Sequence, residues 1–334
     1  MTRHPKSLRV FLMLTTLSGV GGRTENSGLN IMPSLPNFIC VGAPKTGTTA
    51  LYEDIAAHAD VFVTKVKETH FFRLAFDGLP WNGPGTPPPM QVDSLEKYKA
   101  LFADIKTEKA IGEVCPSYFS DARTPGHIYN TLGSIKIIIM LRDPAERAFS
   151  QFLHARLIGC EPEPSFLKAV ALEPERHAAQ WGEFWSYLGQ SYYAPVLERY
   201  FSTFGSENVL VLRHERFVRE RKKSLQDIYN FIGVSPDIAQ QQCAPKRQVN
   251  ISGVPTNRTA AFAFRHIEKM GTIARFLFPT PIRRKVRSIM DRSLTKATLT
   301  QEERRYIISR LSNDLTQVEK LTGWDVSDWK APYQ

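Results

Sequence analysis

Phe38-Ile-Cys-Val-Gly-Ala-Pro-Lys-Thr-Gly-Thr-Thr49 is the stretch that decides how this chain folds. Four consecutive apolar residues, Phe38 to Val41, are the pattern of a strand covered on both faces of a parallel sheet. A glycine-containing loop follows, and then a helix with Leu51 and Ile55 on one side. Such a strand–loop–helix unit aims backbone N–H groups and a helix N-terminus at an anion. A nucleotide-triphosphatase loop carries its lysine directly after the second glycine, followed by a hydroxyl for magnesium. Here Gly42 and Gly47 keep that spacing, but Thr48 stands at the lysine position and Lys45 lies inside the loop. A cation there reaches an oxygen that bridges two groups of a ligand.

Outward from this unit, Val61-Phe-Val63 reads as a second strand, and Ile135-Lys-Ile-Ile-Ile-Met-Leu141 as the strongest strand of the chain. The latter runs into Arg142-Asp-Pro-Ala-Glu146. Asp143 is placed as an N-cap, Pro144 at the first helical position, and Glu146 as the partner in a capping box. Val209-Leu-Val-Leu212 reads as a further buried strand. Near the end, Thr300 and Glu303 cap a helix with Ile307, Leu311, Leu315 and Val318 as its apolar stripe, and Gly323 stops it. Gly78 to Pro89, rich in Pro and Gly, reads as a surface loop. Strands alternating with helices predict an α/β fold: a single domain over residues 37–334, with a mainly parallel central sheet flanked by helices. Residues 1–36 read as a leader. Arg3, Lys6 and Arg9 precede a short apolar run, Val10 to Leu17, so the segment is a disordered tail, an over-long start before Met32, or a weak secretory signal.

The second strand end discriminates between nucleotide chemistries. Triphosphatases place an acidic residue there to help hold Mg²⁺. This chain has Arg142, suited to a bidentate phosphate contact. Ser150, seven residues beyond Asp143 and so about 700° round the helix, returns to nearly the same face and could share that phosphate. Two strand ends of this kind predict a nucleotide with two separate phosphate positions and no metal.

At this point the chain resembles the sulfotransferases that use 3′-phosphoadenylyl sulfate (PAPS). Pro44-Lys-Thr-Gly-Thr-Thr49 is similar to their 5′-phosphosulfate loop, and Arg142-Asp-Pro-Ala-Glu-Arg-Ala-Phe-Ser150 to their 3′-phosphate motif. Lys67-Glu-Thr-His-Phe-Phe72 and Gly112-Glu-Val-Cys-Pro-Ser-Tyr-Phe119 resemble the branch that contains heparan-sulfate glucosaminyl sulfotransferases and bacterial relatives. The resemblance implies a P-loop-like PAPS-binding fold, PAPS as co-substrate, adenosine 3′,5′-bisphosphate as product, and no metal. It implies Glu68 as general base, in a partly dry pocket that would raise its pKa, with His70 as the rival base because an imidazole titrates near neutrality without tuning. Lys45 would steady the leaving phosphate. Thr46, Gly47, Thr48 and Thr49 would wrap the 5′-phosphate with N–H and hydroxyl donors, and Arg142 and Ser150 would hold the 3′-phosphate. Pro245 to Gly253 would fold over the nucleotide, with Lys246 or Arg247 on the 3′-phosphate. Val114 stands where the heparan-type enzymes can have a lysine, and their paired late cysteines are not evident. The acceptor is left open among glycan, lipid and small molecule, bearing a hydroxyl or an amine.

Composition narrows the partners further. The 334 residues carry 43 Lys+Arg against 33 Asp+Glu, a net charge of +10 that calls for an anionic partner without choosing one. The basic clusters Arg213 to Lys223 and Arg283 to Arg292 contain acidic residues and lack the base-stacking aromatic pattern of common RNA modules, which favours a solvated face over nucleic acid. Cys40, Cys115, Cys160 and Cys243 are too scattered for a zinc site and read as reduced, buried thiols. No segment reaches the roughly 20 apolar residues of a bilayer span. A cytoplasmic enzyme is expected, with the leader keeping secretory targeting open; oligomeric state is not legible. Two rival readings are an ATP-dependent P-loop kinase and a non-catalytic polyanion-binding protein.

Overall fold

Strand β1 (Phe38–Gly42) lies at the centre of a five-stranded sheet. With β2 (Val61–Val63), β3 (Ala110–Val114), β4 (Lys136–Leu141) and β5 (Val209–Arg213), the order is β2-β3-β1-β4-β5, and every pairing is parallel. The computed structural model describes residues 35–88, 90–238, 254–255, 294–295 and 297–332. Val254–Pro255 and Leu294–Thr295 form a separate short antiparallel pair.

Alternate residues of the central strands explain their unbroken hydrophobicity. Helices α1 (Thr48–Ile55), α2 (Phe71–Leu74), α3 (Leu95–Ala100), α4 (Thr124–Leu132) and α5 (Pro144–Leu157) precede β5 in the chain. Ile39, Val41, Ile137, Ile139 and Leu141 face one layer, with Ala145, Ala148 and Phe152 of α5 and Leu197 and Tyr200 of helix Ala194–Phe204. Phe38, Cys40, Ile138 and Met140 face the other, with Leu51 and Ile55 of helix α1 (Thr48–Ile55) and Leu225 and Ile228 of helix Arg221–Phe231. A strand sandwiched by helices has no polar face, which is why β1 and β4 read so clearly. The long helix Gln301–Thr322 has the expected Thr300–Glu303 capping box and ends on Gly323 in the left-handed conformation. It lays Ile307, Leu311, Leu315 and Val318, all fully buried, on the first layer. Each such side chain contributes about 1.5–3 kcal/mol.

Two strand assignments change. β3 went unread because Gly112 and Glu113 interrupt its apolar pattern. A Cβ at Gly112 would come within 2.5 Å of the Phe38 ring, so the packing of β1 on β3 demands glycine there. β5 is only in part the buried strand expected: it is the sheet's edge, with Val209 and Leu212 buried and Leu210 and Val211 half-exposed. The described part of the Pro- and Gly-rich loop has no helix or strand, yet it is anchored, since Trp81 packs on Trp185 with ring centroids 4.7 Å apart. Cys40 and Cys115 are free thiols, and Cys40, Cys115 and Cys160 are all buried.

Topology places the site. The chain leaves β1 towards β3 and β2, and leaves β4 towards β5 on the other side. The loops therefore diverge above the carboxyl ends of β1 and β4, the crevice where open α/β sheets take ligands.

Candidate functional site

The first wall of the crevice is the β1–α1 loop. Its Ala43 N–H donates to Met140 O of β4 at 2.8 Å, which ties the loop to the neighbouring strand end. Lys45 (φ 68°) and Gly47 (φ 92°) both take left-handed backbone, and the first helical hydrogen bond of α1 runs from Leu51 N–H to Gly47 O at 3.1 Å. The amides of Gly47, Thr48, Thr49 and Ala50 precede that bond, so they are the donors a helix start turns outward. The Thr46 hydroxyl departs from expectation. It is fully buried and donates to Ala43 O at 2.7 Å, so it closes the loop and leaves only the Thr46 N–H for a ligand.

The second wall is the turn after β4. Arg142 donates to Lys45 O at 3.3 Å and to Glu146 at 3.2 Å, bridging the two strand ends. Asp143 caps α5 as expected, its Oδ1 accepting from Ala145 N and Glu146 N at 3.0 Å. The capping box does not form. Asp143 N–H donates to Glu215 Oε1 at 2.8 Å, while Glu146 turns to Arg142. Asp143 also does more than cap, since its Oδ2 lies 2.7 Å from Arg304 of the long C-terminal helix. Ser150 is buried two turns along α5, and Arg142 is directed to Lys45 O and Glu146 instead of towards it.

Electrostatics single out Lys45. It is half-buried, and loss of water lowers its pKa from 10.5 to about 8. Arg142, Lys67 and Arg147 push the same way, and Glu68 opposes them. An ammonium crowded by cations and drawn up by one carboxylate is poised for a bound anion to complete its surroundings.

The third wall is the segment Lys67–His70, and here two expectations are corrected. Glu68 is not enclosed in a dry pocket: its side chain is 40% exposed and pairs with the Lys67 ammonium. His70 does not keep the ordinary titration of a free imidazole. It is buried, its Nδ1 lies 2.7 Å from Ser117 Oγ, and burial lowers its pKa, offset in part by Glu68. The neutral ring is thus the resting form at neutral pH.

With this geometry in hand, comparison with known proteins is decisive on family. A family model described as "Sulfotransferase domain" matches residues 35–296. The chain belongs to the sulfotransferase domain family. Among solved structures, a sulfotransferase from Alicyclobacillus acidocaldarius superposes with a TM-score of 0.68 at 26% identity, covering 89% of this chain and 100% of that one. Among curated proteins, human heparan sulfate glucosamine 3-O-sulfotransferase 3B1 is 28% identical over 201 residues, 60% of this chain and 46% of the relative. The membrane-associated sulfotransferase kil1 of Dictyostelium discoideum is 31% identical over 119 residues, 35% of this chain and 22% of the relative. The chain thus spans less than half the length of these two relatives. Family membership places it with sulfotransferases rather than ATP-dependent kinases.

Several residues around this crevice were not singled out by sequence. Arg147, fully buried in α5, donates from Nε to Ser191 Oγ at 2.9 Å and from Nη2 to Tyr187 O, and raises the positive field at Lys45. His214 and Glu215 arrive from the end of β5, whose Arg213 pairs in register with Leu141 of β4. His214 lies against Gly47, and burial takes its pKa down to about 4. Glu113 is the one fully buried carboxylate on the sheet, held by hydroxyls from three segments. The strand register was the only available signal for the β5 pair.

Lys246, Arg247, the rest of Pro245 to Gly253, Cys243, the cluster Arg283 to Arg292 and residues 1–34 of the leader lie outside the described residues. Four arginines of the first basic cluster are paired with carboxylates: Arg213 with Asp328, Arg216 with Asp227, Arg219 with Glu220 and Arg221 with Asp54. Among the described residues no helix is long and apolar enough to cross a membrane, and no group of three metal-ligating side chains converges.

Proposed function

We propose that this chain transfers a sulfuryl group from PAPS to a hydroxyl or amine, with the β1–α1 loop and the Arg142 turn holding the nucleotide. The observation that carries the reading is Lys45, a half-buried ammonium over a loop of outward-facing amides, tied by its own carbonyl to Arg142. These residues fit PAPS: one helix start for a 5′-phosphosulfate, and one guanidinium for a 3′-phosphate. PAPS supplies the activated S–O bond. Glu68 takes the proton of the acceptor, and Lys45 neutralises the charge left on the phosphate oxygen as that bond parts. Glu68 suits the base better than His70, because it stands partly in solvent where an acceptor arrives, whereas the His70 ring is held by Ser117. Lys246, Arg247 and Ser150 complete the 3′-phosphate site in this reading. The acceptor is a glycan, lipid or small molecule; similarity to a heparan sulfate sulfotransferase makes glycans the first class to try.

Adenosine 3′,5′-bisphosphate without Mg²⁺ is expected to raise the melting temperature, and Arg142→Ala to abolish the shift. An unchanged melting curve at millimolar ligand refutes the nucleotide assignment. Transfer of label from ³⁵S-PAPS across a panel of glycans, lipids and phenols then identifies the acceptor class, and full activity in Glu68→Gln removes Glu68 from the mechanism.

Gly47→Ala tests the loop itself. A Cβ there meets His214 Nδ1 at 2.8 Å on a backbone with φ 92°. Left-handed backbone alone costs a residue with a Cβ about 1–2 kcal/mol. The free loop of the variant is expected to relax out of that conformation, which binding must then restore, so bisphosphate affinity, measured by titration calorimetry, is expected to fall by about 5- to 30-fold. Wild-type affinity in this variant refutes the placement of the phosphate on the loop.

A further inference from the structure

We propose that Glu113, near the carboxyl end of β3, is a positioning residue for the transfer site: its carboxyl group grips the Thr69 hydroxyl and so fixes the Lys67–His70 turn that presents Glu68 towards Lys45. The inference rests on the reading of Glu68 and Lys45 given above.

The turn needs such a grip. Glu68 (φ 62°) and His70 (φ 57°) both carry left-handed backbone, although neither is glycine. Residues with a Cβ pay for that conformation and keep it only where surrounding contacts over-determine it. Thr69 lies between them, and its contacts supply the constraint. Its hydroxyl donates to Glu113 Oε2 at 2.6 Å, lies 2.9 Å from Tyr118 Oη, and accepts from Phe71 N–H at 3.3 Å. Backbone bonding secures the start of the turn, where Glu68 N–H donates to Val114 O at 3.2 Å, one residue beyond Glu113. Phe72 N–H donates to Tyr118 Oη at 3.3 Å and secures its end.

Glu113 is itself rigidly held. Tyr98 Oη donates to its Oε1 at 2.7 Å, and Tyr118 Oη approaches the same oxygen at 3.4 Å. The groups that face it are the hydroxyls of Thr69, Tyr98 and Tyr118, with the buried Cys115 thiol two residues on. No salt bridge to it is formed among the described residues. Burial therefore dominates and pushes its carboxyl up to about 7 against the lowering effect of the three hydroxyls. A buried acid with no cation to pair is costly as a purely structural choice, because apolar residues of the same volume would fill the site at less desolvation cost. A grip on a strained turn one residue from Glu68 accounts for it. Glu113 touches neither the acceptor nor the nucleotide in this arrangement, and acts through Thr69.

The test compares Thr69→Val, Thr69→Ser and Glu113→Gln with wild type, using the best acceptor from the labelled-PAPS panel. Thr69→Val keeps the shape and removes the hydroxyl. It is expected to lower kcat by about 10- to 100-fold while the calorimetric Kd for adenosine 3′,5′-bisphosphate stays within about twofold. Thr69→Ser restores the hydroxyl and is expected to recover most of kcat. Glu113→Gln is expected to remove an ionisation near pH 7 from the kcat–pH profile. The proposal is overturned if kcat of Thr69→Val stays within about twofold of wild type. It is also overturned if Thr69→Ser is as impaired as Thr69→Val, or if bisphosphate affinity falls in parallel with kcat. A wild-type chain that transfers no label refutes the reaction instead, and the two failures are told apart by that control.

Discussion

Lys45→Ala is expected to lower kcat by about 30- to 1,000-fold, the range that 2–4 kcal/mol of lost transition-state stabilisation gives for a single preorganised group. The sign of the pH dependence follows from its surroundings. Burial and the cations Arg142, Lys67 and Arg147 lower the Lys45 pKa to about 8, so the ammonium is present below that pH and is lost above it. The kcat/KM profile, which reports the free enzyme, should fall as pH rises through about 8. Lys45→Arg should erase that alkaline limb, since a guanidinium stays charged, while restoring only part of the rate because its planar fork does not copy a point charge. Stability should move the other way. The folded pKa of Lys45 lies below its unfolded value of 10.5, so the charged form is the one the fold disfavours. Lys45→Ala should therefore melt no lower than wild type at pH 7. Between pH 8 and 10.5 wild-type stability should gain on that of the variant as the folded state gives up its proton first. A rate within about threefold of wild type in Lys45→Ala would remove Lys45 from the chemistry, and a large fall in melting temperature would show a structural role.

That prediction rests on residues the sequence disclosed, and the reason is physical. β1 and β4 are central strands covered on both faces, so their sequences are unbroken apolar runs. The residues at their ends, Lys45 and Arg142, stand next to those runs and could be located by counting. What could not be counted is what distant segments contribute. Glu113 is held by Thr69, 44 residues earlier, and by Tyr98, 15 residues earlier. No periodicity links those positions. β3 itself was hidden by Gly112 and Glu113, a glycine forced by the Phe38 ring and a carboxylate that belongs to a polar cluster. The Glu68 motif was legible as a motif, but its exposure was not. A carboxylate beside aromatic residues suggests a dry pocket, whereas Phe71 and Phe72 turn into the core and leave Glu68 beside Lys67 at the surface. Glu146 fits a capping box by spacing, yet the Asp143 amide finds Glu215, which only the pairing of β4 with β5 brings near.

Arg304→Ala is expected to be the most destabilising single change among these, at about 3–5 kcal/mol, because it leaves one side of a buried ion pair alone. Arg304 reaches from the C-terminal helix to Asp143 at 2.7 Å and also donates to Ala331 O at 2.9 Å and Trp329 O at 2.8 Å. It thereby joins the chain's end to the cap of α5. Asp314 of the same helix adds a second tie, accepting from Tyr193 N–H at 2.9 Å and Ala194 N–H at 3.0 Å. The Tyr193 hydroxyl in turn donates to Arg142 O at 2.8 Å. Two links thus run from one helix to the turn that carries Arg142, so the loss in Arg304→Ala should include weaker bisphosphate binding as well as a lower melting temperature. The sign with pH is fixed by Asp143. Burial already raises its pKa, and Arg304 is the main group holding it down. Without that guanidinium the carboxyl rises further, and an acid whose folded pKa is raised loses stability as pH climbs from its unfolded value to its folded one. The destabilisation by Arg304→Ala should therefore be larger at pH 7.5 than at pH 5. Asp143→Asn keeps an oxygen to cap α5 and removes the charge. Combined with Arg304→Ala it should cost less than the sum of the two single changes, by about 0.5–3 kcal/mol. Denaturant titrations of the four proteins at both pH values supply the test. Additivity within about 0.5 kcal/mol, or equal losses at both pH values, would show that Arg304 acts through its hydrogen bonds to the Ala331 and Trp329 carbonyls and not through the charge of Asp143.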